Sequence, residues 1–155
     1  MRTPESNVFI SGNLEGLSCS EKNVLELIEL LIEVEPSLEK QLKRRHVNLT
    51  FITKNEIKEL NSKFLNKAQP TNVLSFPSTG LDFDERLLGD IAICPEIISN
   101  EADDQNKDRQ NHLFHIILHS LLHLAGYDHQ EESSAELMES LEIKVLKKLG
   151  IANPY

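Results

Sequence analysis

Apolar and polar residues alternate over short stretches of the chain, and this pattern predicts strands. Residues 6–12 form the first such stretch, and the β-branched segment 47–53 (VNLTFIT) forms the second. Side chains of a strand point alternately to its two faces, so this alternation gives one buried and one open face. The segments 72–77 (NVLSFP), closed by its proline, and 91–95 (IAICP), which follows Gly89-Asp90, predict two more strands. The polar, acidic segment 78–88 between them predicts a loop.

Apolar residues that recur at helical spacing predict the other elements, and Ser20 is the expected N-cap of the first helix. The predicted helices run from 21 to 35, from Pro36 to about Arg45, from Asn55 to Asn66, from Pro95 to about Asp104, from about Arg109 to Ala125, and from a cap at Ser133 or Ser134 to Leu149. The third helix should carry an apolar stripe of Ile57, Leu60 and Phe64. The last helix should face inward with Leu137, Leu141, Val145 and Leu149.

Strands and helices alternate early in the chain and helices dominate late, which predicts an α/β (α+β) fold. We expect a small mixed sheet of about four strands surrounded by helices. The 155 residues fit one domain, 1–155, of ordinary size. Apolar residues at 39% and charged residues at 26% are typical of a soluble globular protein.

Several features bear on compartment and partners. No apolar run approaches the ~18 residues of a membrane span, and the N-terminus lacks a secretory pattern, so we expect a cytoplasmic protein without membrane contact. Cys19 and Cys94 form no CxxC unit, which favours a reduced compartment, and neither resembles a metal ligand. The net charge of -9 argues mildly against nonspecific nucleic-acid binding. Two basic clusters, at 40–45 and 54–67, are most simply explained as solvated helix faces.

The segment His119–His129 (HSLLHLAGYDH) carries the clearest chemistry. An α-helix places His119 and His123 on one face, one turn apart. Gly126 can adopt the left-handed conformation that ends a helix, so the chain can turn back and bring His129 to the same point. Three protein ligands leave a fourth position open, as in a catalytic zinc site. We therefore predict one zinc ion, although three imidazoles also suit nickel, copper or iron.

Neighbouring residues leave alternatives open. His112 and His115 fall on the same narrow stripe of the helix, where they could support the ligands, face a substrate or be structural. Asp128 could orient an imidazole or accept a proton from bound water, or equally cap a helix or hold the turn. The HExxH zinc peptidases carry a glutamate as general base after the first histidine, but this chain has Ser120 there. A serine is a poor base, so a peptidase is the least favoured interpretation.

Three segments resemble one family. HSLLHLAGYDH is similar to the signature H-G-x-L-H-L-x-G-Y-D-H of the YbeY endoribonucleases, also described as rRNA maturation factors. PTNVLSFP at 70–77 resembles the family's P-T-[DN]-V-L-S-F-P, and LLGDIAIC at 87–94 resembles its G-D-[IV]-x-I strand. The motifs appear in the family's order, and the resemblance extends from about Val47 to the end of the chain.

The resemblance implies a metal-dependent hydrolase, usually with zinc, that cuts single-stranded RNA. It implies a role in 16S rRNA 3′-end maturation and ribosome quality control, with rRNA and the small ribosomal subunit as partners. It assigns the metal ligands to His119, His123 and His129. It also makes 72–75 the strand that lines the cleft, with Asn72 and Ser75 as candidate substrate-binding residues, whereas Val73 and Leu74 are better explained as core.

The chain departs from the family pattern at two positions. Ser120 replaces a glycine, and a residue this small should fit where the helix packs closely. Leu65 follows Phe64 where the family has an arginine thought to engage phosphate, and leucine has neither charge nor donor. Lys63 or Lys67 could replace it as a point charge. Leu65 also motivates the alternative of a ribosome-assembly factor with a structural metal site and little catalysis.

Overall fold

Four strands form one mixed sheet in a computed structural model that describes residues 7–78, 86–127 and 132–155. The strands are β1 (Asn7–Gly12), β2 (His46–Phe51), β3 (Val73–Pro77) and β4 (Leu87–Ile93). Their order across the sheet is β1-β2-β4-β3. The pairs β1·β2 and β2·β4 are parallel, and β3 is antiparallel to β4. This arrangement confirms the predicted mixed sheet of about four strands.

Helices pack around the sheet, and local capping explains where several of them begin. They are α1 (Glu21–Val34), α2 (Glu39–Leu42) after a 3-10 turn (Pro36–Leu38), α3 (Lys54–Leu65), α4 (Pro95–Asp104), α5 (Arg109–Leu124) and α6 (Glu132–Lys148). Ser20 caps α1 as predicted, in a capping box with Asn23, and Thr53 caps α3 in the same way with Glu56. Among the described residues, no helix is long and apolar enough to cross a membrane.

The main core lies between the sheet, α1, α5 and α6. Its fully buried members include side chains from every one of these elements, among them Leu49, Ile91, Leu31, Ile117, Leu121 and Val145. Each buried aliphatic side chain of this size contributes about 1.5–3 kcal/mol through loss of its contact with water. One side of α5 is therefore fixed to the core, and its other side is left to line a cleft.

Five sequence predictions need correction. The helix expected to reach Arg45 ends at Leu42, because Arg44 has a left-handed backbone (φ 63°) and β2 begins soon after it. The loop expected at 78–88 is shorter, since β4 starts at Leu87, where it pairs with His46; residues 79–85 lie outside the described ranges.

The other three corrections concern the cap of helix α6, its inward face and the α3 stripe. Helix α6 already includes both serines that were expected to cap it. Its inward face contains Leu141 and Val145, but Leu137 is 51% exposed and Met138 takes its place. Phe64 of the predicted α3 stripe is 56% exposed and instead packs its ring on Phe76.

Candidate metal centre

Four histidines lie along one side of α5, as their spacing predicts. The ring centroids of His112 and His115 are 6.2 Å apart, those of His115 and His119 are 6.4 Å apart, and those of His119 and His123 are 4.6 Å apart. The residues His112 and His115 are buried and His119 and His123 are half-buried, and all except His112 line the cleft. The exposure of the histidine rings therefore increases toward the C-terminal end of the helix.

The end of α5 has a backbone that holds His123 in place. Gly126 is left-handed (φ 102°), as predicted, and its N–H donates to the carbonyl of His123. The N–H of Tyr127 donates to the carbonyl of Leu122, which completes a Schellman motif. The turn leaves the Tyr127 carbonyl 3.1 Å from Nδ1 of His123. The following residues, including Asp128 and the third predicted ligand His129, lie outside the described ranges.

The imidazoles of His119 and His123 converge through their Nε2 atoms, which are 3.1 Å apart. On the opposite side of each ring, Nδ1 of His119 is 2.5 Å from Oε1 of Glu142, and Nδ1 of His123 faces the Tyr127 carbonyl. An ionised carboxylate and a carbonyl can only accept hydrogen bonds, so both rings in their neutral form carry the proton on Nδ1. Both Nε2 atoms then direct lone pairs into the same small space.

This arrangement fits a metal ion. Two lone pairs 3.1 Å apart repel each other unless a cation lies between them. Two nitrogens bound tetrahedrally at about 2.05 Å to one zinc ion stand about 3.3 Å apart, close to the distance in the chain. Within the described ranges no three His, Cys, Asp or Glu side chains form a group that could hold a metal ion, so the fit rests on these two imidazoles.

Glu142 of α6 is the main residue that the sequence analysis missed. Its side chain is fully buried, with Oε1 on His119 and Oε2 3.1 Å from Nε2 of His115 and in contact with the Tyr155 hydroxyl. Burial alone would raise the pKa of Glu142, but the hydrogen bonds from His115, His119 and Tyr155 outweigh it and lower the pKa to about 2. An ionised carboxylate therefore accepts the Nδ1 proton of His119, an arrangement typical of metal-binding histidines.

A second carboxylate stabilises the other end of the stripe. Glu101 of α4 accepts a hydrogen bond from Nε2 of His112 at 3.1 Å and another from the Asn72 side-chain amide at 3.0 Å. The bond from His112 is the main reason that the pKa of Glu101 is lowered. Both His112 and His115 are buried and hydrogen-bonded to a carboxylate, which supports a structural or ligand-supporting role for them. Of the two, His115 also lines the cleft.

The converging histidines open onto a cleft of about 540 Å³. Its lining brings together Leu65, Lys67, Asn72, Ser75, His119 and His123, all of which the sequence singled out. Lys63, the other candidate to replace the family's arginine, is not among the lining residues. The antiparallel strand β3 forms one wall, in keeping with its predicted place at a cleft. Leu74 is buried, as expected for a core residue, and Val73 is half-buried. Leu65 is 52% exposed and offers an apolar surface at the position of the family's arginine.

Ser120 points away from the cleft. Its side chain is fully buried, and its hydroxyl donates to the carbonyl of Ile116 at 2.9 Å. This agrees with the expectation that a residue this small fits where the helix packs closely. Serine at this position presents no carboxylate to the cleft, so a peptidase stays the least favoured interpretation.

Comparison with known proteins identifies relatives that match most of the chain. The family model described as endoribonuclease YbeY matches residues 10–150. A protein named endoribonuclease YbeY from Francisella tularensis subsp. novicida (strain U112) is 50% identical over 114 residues, which cover 70% of each chain. Its namesake from Francisella tularensis subsp. tularensis (strain WY96-3418) is 49% identical over the same length. The solution structure of TM1509 from Thermotoga maritima is 30% identical, with a TM-score of 0.58, and covers 92% of this chain and 91% of its own.

Proposed function

The chain belongs to the YbeY endoribonuclease family, and on that premise we propose that it is a metal-dependent endoribonuclease acting on single-stranded RNA. We further propose that it acts in the cytoplasm in 16S rRNA 3′-end maturation and ribosome quality control. Its partners would then be rRNA and the small ribosomal subunit. Family membership supports the nuclease activity, and the cleft supports the metal dependence.

The observation that carries the proposal is the convergence of the two Nε2 atoms in an open cleft. His119 and His123 would hold one zinc ion together with His129, and the acceptors at both Nδ1 atoms would keep the rings in the ligating tautomer. Zinc bound there supplies a Lewis acid that activates water and polarises a phosphate oxygen. Another divalent metal with a preference for imidazole would use the same residues.

The side chains around the histidines suit a phosphodiester chain. Lys67 provides a positive charge on the cleft wall, and Ser75 provides a hydroxyl on β3. The amide nitrogen of Asn72 donates to Glu101, so a contact between Asn72 and RNA would use its carbonyl oxygen as an acceptor. The exposed ring of Tyr155 adds an aromatic surface, the kind of group on which unpaired bases stack.

The test is metal analysis combined with RNA cleavage. The purified chain should bind one zinc ion and cut an unstructured rRNA fragment, and His119→Ala should lose both properties. His46→Ala is the matched control, because this histidine lies on β2 and is not among the residues that line the cleft. The proposal is wrong if cleavage is independent of metal and survives His119→Ala.

The presence of Leu65 supports a second candidate function, that of a ribosome-assembly factor with a structural metal and little catalysis. The structure places this apolar side chain, rather than an arginine, in the wall of the cleft. Such a factor would bind zinc and rRNA without cutting the RNA. Side-by-side binding and cleavage measurements on one rRNA fragment separate the two functions.

A further inference from the structure

Tyr155 reaches the metal centre from outside it. The residue is 59% exposed, yet its hydroxyl donates to Oε2 of the fully buried Glu142. Its ring meets the ring of His115 edge-on, with centroids 5.6 Å apart and planes at 87°. The ring therefore lines the cleft while the hydroxyl reaches the buried carboxylate.

The segment before Tyr155 is fixed by two contacts. The N–H of Ile151 donates to the carbonyl of Leu146 at 2.9 Å, which joins the segment to the end of α6. The ammonium group of Lys107 donates to the carbonyl of Pro154 at 2.8 Å, which joins it to the turn between α4 and α5. These contacts hold the phenol in one place, so its hydroxyl is a fixed donor to Glu142.

The two carboxylate oxygens of Glu142 accept hydrogen bonds from different residues. Oε1 receives the Nδ1 proton of His119, and Oε2 receives the donors of His115 and Tyr155. A carboxylate is planar, so fixing Oε2 also fixes the direction of Oε1. The orientation of the His119 ring, and hence of its Nε2, then depends on how firmly Oε2 is held.

We propose that Tyr155 is a positioning residue for the metal centre, acting on His119 through Glu142. This inference rests on the proposed metal site and extends it by two residues that never touch the metal. Tyr155 holds the carboxylate plane, Glu142 holds the imidazole, and the imidazole presents Nε2 beside that of His123. The expected consequence of losing either residue is weaker metal binding with an altered coordination geometry.

The test measures metal binding by the purified chain. Zinc affinity is obtained by competition with a chromophoric chelator, and the visible spectrum of the Co²⁺-loaded protein reports ligand geometry. Glu142→Gln should weaken zinc binding by about 10- to 100-fold, as expected for loss of an outer partner of a ligating histidine. Tyr155→Phe should weaken it by up to about tenfold and shift the Co²⁺ spectrum, because His115 still holds Oε2.

Glu136→Gln is the matched control for Glu142→Gln, since it removes the same charge from an exposed position of α6. It should leave zinc affinity and the Co²⁺ spectrum unchanged. A double variant tests the route of action: in the Glu142→Gln background, Tyr155→Phe should change affinity by no more than about twofold. Tyr155 is exposed, so its phenylalanine variant remains decisive even if Glu142→Gln does not fold.

The outcomes separate this inference from the proposed function. A wild-type chain that binds no zinc overturns the metal site itself. A wild-type chain that binds zinc, with Tyr155→Phe matching it in affinity and spectrum, overturns only the positioning role. An equal loss from Tyr155→Phe in both backgrounds also overturns it, because Tyr155 would then act without Glu142.

Discussion

Replacing Leu65 with arginine tests whether the cleft engages RNA. Leu65 is the last residue of α3, and its half-exposed side chain lines the same cleft as His119 and His123. An arginine there needs no burial of charge, and the C-terminal end of a helix favours a cation. Leucine and arginine also have similar helix propensities, so we expect the free energy of unfolding to change by no more than about 0.5 kcal/mol.

The gain in cleavage follows from one added phosphate contact. A charge-assisted hydrogen bond contributes about 1.5–3 kcal/mol, and arginine can make two parallel ones to a phosphate. If the contact forms in the transition state, kcat/KM for single-stranded RNA rises by about 10- to 100-fold. One more neutralised phosphate should also make the plot of log association constant for RNA against log salt concentration steeper by about 0.7.

The assay is cleavage of a fluorescent, unstructured rRNA fragment at several salt concentrations. Leu137→Arg is the matched control, because Leu137 is 51% exposed on α6 and is not among the residues that line the cleft. Equal gains in the two variants would refute the reasoning, since they would reflect net charge alone. If neither wild type nor Leu65→Arg cuts RNA while both bind it, the assembly factor is favoured.

Three further outcomes are expected. The pKa of Glu101 is lowered in the folded chain, so the stability that this carboxylate contributes is present above its ordinary pKa of 4.5 and is lost as pH falls through the lower folded pKa. In urea unfolding, the free energy of unfolding of Glu101→Gln should therefore fall less steeply with acid than that of the wild type. Equal pH dependences would contradict this. Ser120→Leu should lower the free energy of unfolding by about 1–3 kcal/mol by overfilling a closed site, whereas Ser120→Ala should change it by less than about 1 kcal/mol. Zinc at a hundred times its Kd should stabilise the wild type by about 2.7 kcal/mol in thermal unfolding, and a chelator should remove this gain, with no zinc effect in His119→Ala.

Elements with local signals were predicted closely. Helix α4 has the predicted bounds, because Pro95 is well suited to a first helical turn and a charged break follows Asp104. The start of β4 was missed because it depends on pairing with β2, a partner some 40 residues away in the sequence. The inward face of α6 was misassigned because several registers bury apolar residues, and only contact with α1 and α5 selects Met138 over Leu137.

In the candidate site, too, the residues of a local motif were predicted, and the residue that depends on tertiary packing was missed. His119, His123 and Gly126 belong to one short motif, and the structure shows the convergence of the two imidazoles and the left-handed glycine that the motif predicts. Glu142 was missed because α6 carries many acidic residues, most of them in contact with solvent. One signal was available: Glu142 lies next to Leu141 and three residues before Val145, on the side of the helix that faces the core.

Strand β3 has a further consequence for self-association. It is the last strand of the sheet order and lines the open cleft, so one edge of the sheet lies near solvent. Exposed edges invite strand addition by other chains and aggregation. Here the strand is only five residues long and ends at Pro77, which has no N–H to donate, and Pro70 precedes it. The chain thus keeps its cleft accessible while offering a poor template for pairing with another copy.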